Sequence, residues 1–238
     1  MAGYDRLDIA SVEHGKEDYL ALMKQPVSAL RVGIPRAPFF DHLDEDVAKA
    51  VEEALRVLAK LTKGQKDVML PSTRETTLPG EMYAYHEEMY KRGAARYMIP
   101  TRNNLKRGAE AKASDYVRAR WALELLRRTI DDSFREIDVV ALPTRRRSPR
   151  TVDEARKREE SEKARNPELE NTQAFNAYGI PALSVPCGFT KDGMPVGLML
   201  AGPRFSEGRL LALAAAYEKA TEWHTRRPPL QADTPVPV

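Results

Sequence analysis

An α/β fold is what this sequence predicts, and three observations predict it. An apolar run, an amphipathic helix and a second apolar run follow one another between residues 30 and 71, which is a βαβ-like order. Helical periodicity fills the middle of the chain. Two further apolar runs near the end are joined by an Asp-Gly hairpin signal. The 238 residues are 42% hydrophobic and 31% charged, enough apolar material to bury a core and too much for a disordered chain.

The elements follow in order. The first thirty residues are mixed, and Pro26 breaks any helix running from Lys16 to Lys24. Leu30–Arg36 (LRVGIPR) reads as a short buried strand stopped by Pro35. Asp44 is placed to cap a helix whose first turn holds Glu45 and Asp46, where the helix dipole favours anions. Val47, Val51, Ala54, Leu55, Leu58 and Leu61 recur at helical spacing, and Gly64 supplies the stop. Asp67–Pro71 (DVMLP) reads as a second strand. A helix over Glu81–Arg92 gathers Met82, Tyr85, Met89 and Tyr90 on one side. Ser114 can cap a longer helix with the stripe Tyr116, Ala119, Leu123, Leu126, Ile130 and Phe134, and Asp138–Thr144 (DVVALPT) is the next strand. Asp153–Arg165 is charged all round, with Glu154–Arg158 and Glu159–Lys163 at helpful spacing, which fits an exposed helix or a mobile excursion. Ile180–Phe189 and Met194–Pro203 are strand candidates around Lys191-Asp192-Gly193. Ser206 can cap a last helix with the stripe Leu210, Leu213, Ala214, Tyr217 and Ala220. The tail from Arg226 is proline-rich and extended.

Several function classes are excluded or unsupported. No apolar run reaches the roughly 18 residues of a membrane span, and the start has no secretory signal pattern, so no membrane is expected and the cytoplasm is the default. The lone Cys187 forms no internal disulfide and reads as a buried small hydrophobe at a strand end. His14, His42, His86 and His224 lack ligand spacing, so no metal is expected. Ser184 lies outside any G-x-S-x-G elbow and reads as a strand residue bonded to backbone. Gly188, Gly193, Gly197 and Gly202 form no dinucleotide fingerprint, and no cofactor is expected. The net charge of +3 does not argue for nucleic acid. Arg145, Arg146, Arg147 and Arg150 could contact phosphates, but no aromatic platform accompanies them, and a solvated loop is the plainer reading.

The run from Asn171 to Trp223 resembles the C-terminal segment of the amidase-signature family. The matching positions are Thr172, Phe175, Asn176, Gly179, Pro181, Ser184, Pro186, Asp192, Gly193, Pro195, Gly197, Glu207 and Glu218. Upstream, AGYDRLDIAS, LRVGIPRAPFF, the stretch from Tyr83 to Tyr116 and DVVALPT resemble the same family in the same order, so the likeness runs from residue 2 to about 229. It implies a partial amidase-signature fold, a mixed twisted sheet flanked by helices. It also implies one incomplete C-terminal domain over 1–238, with a lead-in at 1–29, a charged excursion at 145–170 and a proline-rich tail at 226–238.

The family's chemistry uses a Ser nucleophile, a bridging Ser and a Lys base beside a Gly/Ser-rich stretch that forms the oxyanion hole. A serine hydroxyl needs that base, and the oxyanion needs preorganised donors. This chain holds no Gly-Gly-Ser-Ser run, and its serines are isolated, so no catalytic residue carries over. The resemblance therefore implies hydrolysis of carboxamide C–N bonds with a chain that is inactive alone. The alternatives are a non-catalytic module that pairs with a separate N-terminal amidase half, or a truncated gene product. Uncovered sheet surface is expected, open to that half or to self-association. A small-molecule amide is the substrate class once the chain is complemented. Thr172, Phe175 and Asn176 are the candidate substrate-binding residues, because this stretch approaches the family's cleft and an Asn amide beside an aromatic suits an amide. The plainer reading is a loop-locking Asn and a core Phe. After Pro143-Thr144 the family continues into a small-residue loop, whereas here the chain reads RRRSPR, which departs from the usual substrate entrance.

Overall fold

The computed structural model describes residues 3–8, 10–160 and 170–228. Its elements run α1 (Tyr19–Leu22), β1 (Arg31–Ile34), α2 (Arg36–Phe39), α3 (Glu45–Leu61), β2 (Gly64–Asp67), α4 (Pro79–Gly93), α5 (Ile99–Ala109) and α6 (Ala113–Thr129). β3 (Val139–Pro143), α7 (Val152–Glu159), α8 (Glu170–Tyr178), β4 (Ala182–Phe189), β5 (Pro195–Ala201) and α9 (Glu207–Ala220) follow. The strands form a five-stranded sheet in the order β2-β1-β3-β5-β4. β1 pairs in parallel with both β2 and β3, while β3–β5 and β5–β4 are antiparallel. The mixed α/β sheet expected from the sequence is thus observed.

Strand position explains composition. β3 is central, all five of its residues are buried, and it reads as the unbroken apolar run VVALP. α3 and α9 cover one face of the sheet through Val47, Val51, Leu55, Leu58, Leu210, Leu213 and Tyr217. α6, a 3-10 segment at Ile130–Phe134 and α8 cover the other through Leu126, Ile130, Phe134, Phe175 and Tyr178. Burying such side chains contributes about 1.5–3 kcal/mol each. On the second face the cover stops short of the β4 edge, where Ala182, Ser184 and Pro195 are exposed.

Several local expectations need correction. The second strand is Gly64–Asp67 and not Asp67–Pro71. α3 ends at Thr62, and the chain enters the sheet at once through Gly64, whose φ of +143° few side chains adopt. β2 is polar because it is an edge strand with three exposed residues. The apolar run after it leaves the sheet: Leu70 is buried, but Met69 is 87% exposed. Asp44 stands at the start of α3 without capping it by its side chain. Lys112, not Ser114, precedes α6, and Ser206 makes no cap bond to α9. In α4 the expected stripe is not buried, since Tyr85 is 80% and Met89 47% exposed. α4 packs on α5 instead, and Tyr83, His86, Tyr90 and Tyr97 meet edge-on or tilted. The charged stretch begins as an exposed helix, α7, with Thr151 and Glu154 forming a reciprocal capping box. The pairs Glu154–Arg158 and Glu159–Lys163 fall on side chains outside the described residues, as does the tail beyond residue 228.

Candidate functional site

The loop leaving β3 organises the site. Thr144 continues the ladder, its amide donating to the Gly197 carbonyl at 2.9 Å. The backbone of Asp44 then donates to the Arg146 carbonyl at 3.0 Å, and the Asp44 carboxylate accepts from the Ser148 amide at 2.8 Å. The residue that the sequence offers as a helix cap therefore clamps the arginine loop. A second clamp comes from α8. Asn171 is fully buried; its Nδ2 donates to the Phe39 carbonyl at 3.0 Å and the Pro143 carbonyl at 2.7 Å. Its Oδ1 accepts from Arg146 Nε at 3.0 Å. One side chain thus ties α2, the end of β3 and the loop together, and no polar atom of its amide is left without a partner.

Two clefts flank this loop. The first has a volume of about 310 Å³ and lies over the uncovered end of β4 and β5, lined by Thr144, Arg145, Ser148, Ser184, Pro186 and Gly197 among others. In it the Ser184 and Thr144 hydroxyls are 2.7 Å apart. Ser184 is therefore bonded to a side chain and not to backbone, because at the β4 edge its face of the strand looks across β5 to Thr144. No base touches either hydroxyl among the described residues, so neither is an activated nucleophile. A side chain at Gly197 would meet Ser184 Oγ at 2.6 Å, so the glycine opens this floor.

The second cleft, about 910 Å³, lies on the α8 side of the same loop. Phe39, His42, Met69, Arg74, Arg146 and Arg147 are among its walls, with Ala174 and Tyr178 at the back. Tyr178 is 1% exposed, and its hydroxyl donates to the Pro71 carbonyl at 2.6 Å, which fixes the wall that carries Arg74. Burial raises the Tyr178 phenol above its ordinary value, so it stays a neutral donor.

The structure places the three sequence candidates on α8. Thr172 is half-buried, Phe175 lies in the core against Phe39 and Tyr178 with ring centroids at 5.8 and 5.5 Å, and Asn176 is exposed. None of them is among the described residues lining either cleft. Asn171 is the residue that sequence reasoning missed, and a signal for it existed. Asn171, Ala174, Phe175 and Tyr178 share one helical face at i, i+3, i+4 and i+7, which puts this Asn on the buried side. Cys187 is 1% exposed and burial pushes its thiol up to about 12, which removes it as a nucleophile. Among the described residues no group of three or more His, Cys, Asp or Glu could hold a metal ion, and no helix is long and apolar enough to cross a membrane.

A mixed sheet with helices on both faces and a clamped loop at the carboxyl end of its central strand defines an α/β domain with a ligand-sized site. The amidase family model matches residues 1–211, and the chain belongs to that family. A glutamyl-tRNA(Gln) amidotransferase subunit from Pseudomonas aeruginosa is 32% identical over 258 residues, covering 96% of this chain and 52% of that protein. An amidase of Pseudomonas putida is 32% identical over 245 residues, covering 97% of this chain and 51% of its own length. Among solved structures, 6-aminohexanoate cyclic dimer hydrolase superposes with a TM-score of 0.78 at 22% identity, covering 95% of this chain and 52% of that one. At that identity the likeness is one of fold. The chain spans about half the length of the curated relatives it matches.

Proposed function

We propose that this chain forms part of an amidase that hydrolyses carboxamide C–N bonds, and that the nucleophile, its base and the oxyanion hole come from residues outside these 238. The carrying observation is the Ser184–Thr144 pair: Ser184, in the cleft over β4 and β5, faces another hydroxyl and has no base beside it among the described residues. A hydroxyl without a base does not attack an amide at a useful rate. The uncovered face of β4, with Ala182 and Ser184 exposed, supports a place for a catalytic half to pack. In this proposal Thr172 and Asn176, which line neither cleft, meet substrate only with the catalytic half in place, and Phe175 holds α8 on the core.

The test is ammonia release from aliphatic and aryl amides. The isolated chain is compared with the chain co-expressed with the Gly/Ser-bearing half of a full-length relative. No turnover by the isolated chain and turnover by the pair is expected. Turnover by the isolated chain that disappears in Ser184→Ala or Cys187→Ala overturns the proposal.

A further inference from the structure

We propose that the cleft between α8, the Met69–Arg74 segment and the arginine loop binds a small organic anion: an oxyanion group, carboxylate or phosphate, joined to an apolar body. Three features of the cleft point to this ligand. Its charged lining is of one sign: Arg74, Arg146 and Arg147 contribute to it, and no Asp or Glu is among its described lining residues. Two of the nearby carboxylates are engaged outside the cleft, Asp44 by the Ser148 amide and Asp67 by Arg36 at 3.4 Å. The described arginine ion pairs are those of Arg31, Arg36, Arg118, Arg120 and Arg135, so Arg74 and Arg147 line the cleft without a carboxylate partner among the described residues. A guanidinium fork matches carboxylate and phosphate oxygens two at a time.

The second feature is the apolar wall. Phe39, Met69, Leu70 and Ala174 line the same cleft, and Met69 stands 87% exposed beside it. An inorganic ion would leave that surface wet, whereas an anion carried on an aromatic or alkyl body would cover it. The third is preorganisation. Arg146 is held by Asn171, and the Arg74 segment by Tyr178, and both anchors are buried residues of α8. Arg146 and the backbone at Pro71 are therefore fixed before binding, which lowers the ordering cost of that part of the cleft. At about 910 Å³ its size suits a small organic ligand.

The inference is independent of the hydrolytic proposal, and its test reads binding and not turnover. The chain is titrated calorimetrically with phenylacetate, phenyl phosphate, neutral phenylacetamide and inorganic phosphate. Phenylacetate or phenyl phosphate is expected to bind at least about ten-fold more tightly than phenylacetamide and than inorganic phosphate, and the tighter of the two names the oxyanion. Arg74→Ala and Arg147→Ala, both at exposed positions, are each expected to weaken that binding by about ten-fold with an unchanged melting temperature. Added salt should weaken it as well. Phenylacetamide binding as tightly as phenylacetate, inorganic phosphate binding as tightly as phenyl phosphate, binding that ignores both arginine changes, or no saturable binding of either organic anion overturns the proposal.

Discussion

Asn171→Ala tests the clamp on which both clefts depend. The wild-type amide makes three hydrogen bonds, to the Phe39 carbonyl, the Pro143 carbonyl and Arg146 Nε, from a fully buried position. Truncation leaves two buried carbonyls without that donor, and an unsatisfied buried polar group costs about 1–3 kcal/mol. The arginine keeps access to water from the cleft, so its loss adds little. The expected destabilisation is therefore about 2–6 kcal/mol. For a chain of this length that lowers the melting temperature by about 2–4 °C per kcal/mol, so by roughly 4–24 °C. Circular dichroism melts and urea titrations give the number. Asn171→Asp discriminates between lost hydrogen bonds and lost volume. It has the same shape, keeps the acceptor for Arg146 and turns an acceptor toward two carbonyls, so it should be at least as damaging as Ala. The reasoning fails if Asn171→Ala lies within about 0.5 kcal/mol of wild type, the range of an ordinary surface change.

Two further predictions concern charge and reactivity. The Asp138 carboxylate accepts from the Arg31 amide at 2.9 Å, Nε at 3.0 Å and Nη2 at 3.1 Å, and these bonds hold it below its ordinary value of 3.8. A carboxyl depressed in the folded state stabilises above its unfolded value and loses that contribution as pH falls through the folded one. Asp138→Asn should therefore cost about 1–2 kcal/mol at neutral pH, discounted because Arg31 is 42% exposed, with the gap closing below about pH 4 in urea titrations. Cys187, buried and with its thiol raised to about 12, should resist a thiol-specific chromogenic reagent in the native protein and react on unfolding in urea. Rapid stoichiometric labelling of the folded chain would show that β4 opens.

The sequence was legible where burial is two-sided or strictly periodic. β3 and α3 follow from VVALP and from the Val47–Leu58 stripe, because a central strand and an amphipathic helix leave little freedom in composition. β2 was not legible. An edge strand is built from whatever does not aggregate, here GQKD, while the apolar Met69 and Leu70 beyond it line a cleft. Caps failed for a related reason. Asp44 has the right residue type and position, but a partner 104 residues away, the Ser148 amide, takes its carboxylate. The family likeness directed attention to the segment around residue 172, which the structure places on α8. Picking the residue that ties the site together needed the phase of α8, and single-residue chemistry did not supply it.

That phase explains how one short helix can serve two purposes. Its inner face carries Asn171, Ala174, Phe175 and Tyr178, so each turn that packs on the sheet also touches a wall of the larger cleft. Asn171 reaches the arginine loop and Tyr178 reaches Pro71, so the two anchors of the cleft stand at opposite ends of α8. From residue 171 to 178 that is seven residues at 1.5 Å each, about 10 Å. On the outer face Asn176 is exposed. Core packing therefore sets the cleft's dimensions, and changes that loosen α8 should act on binding and stability together, whereas changes to Arg74 or Arg147 should act on binding alone.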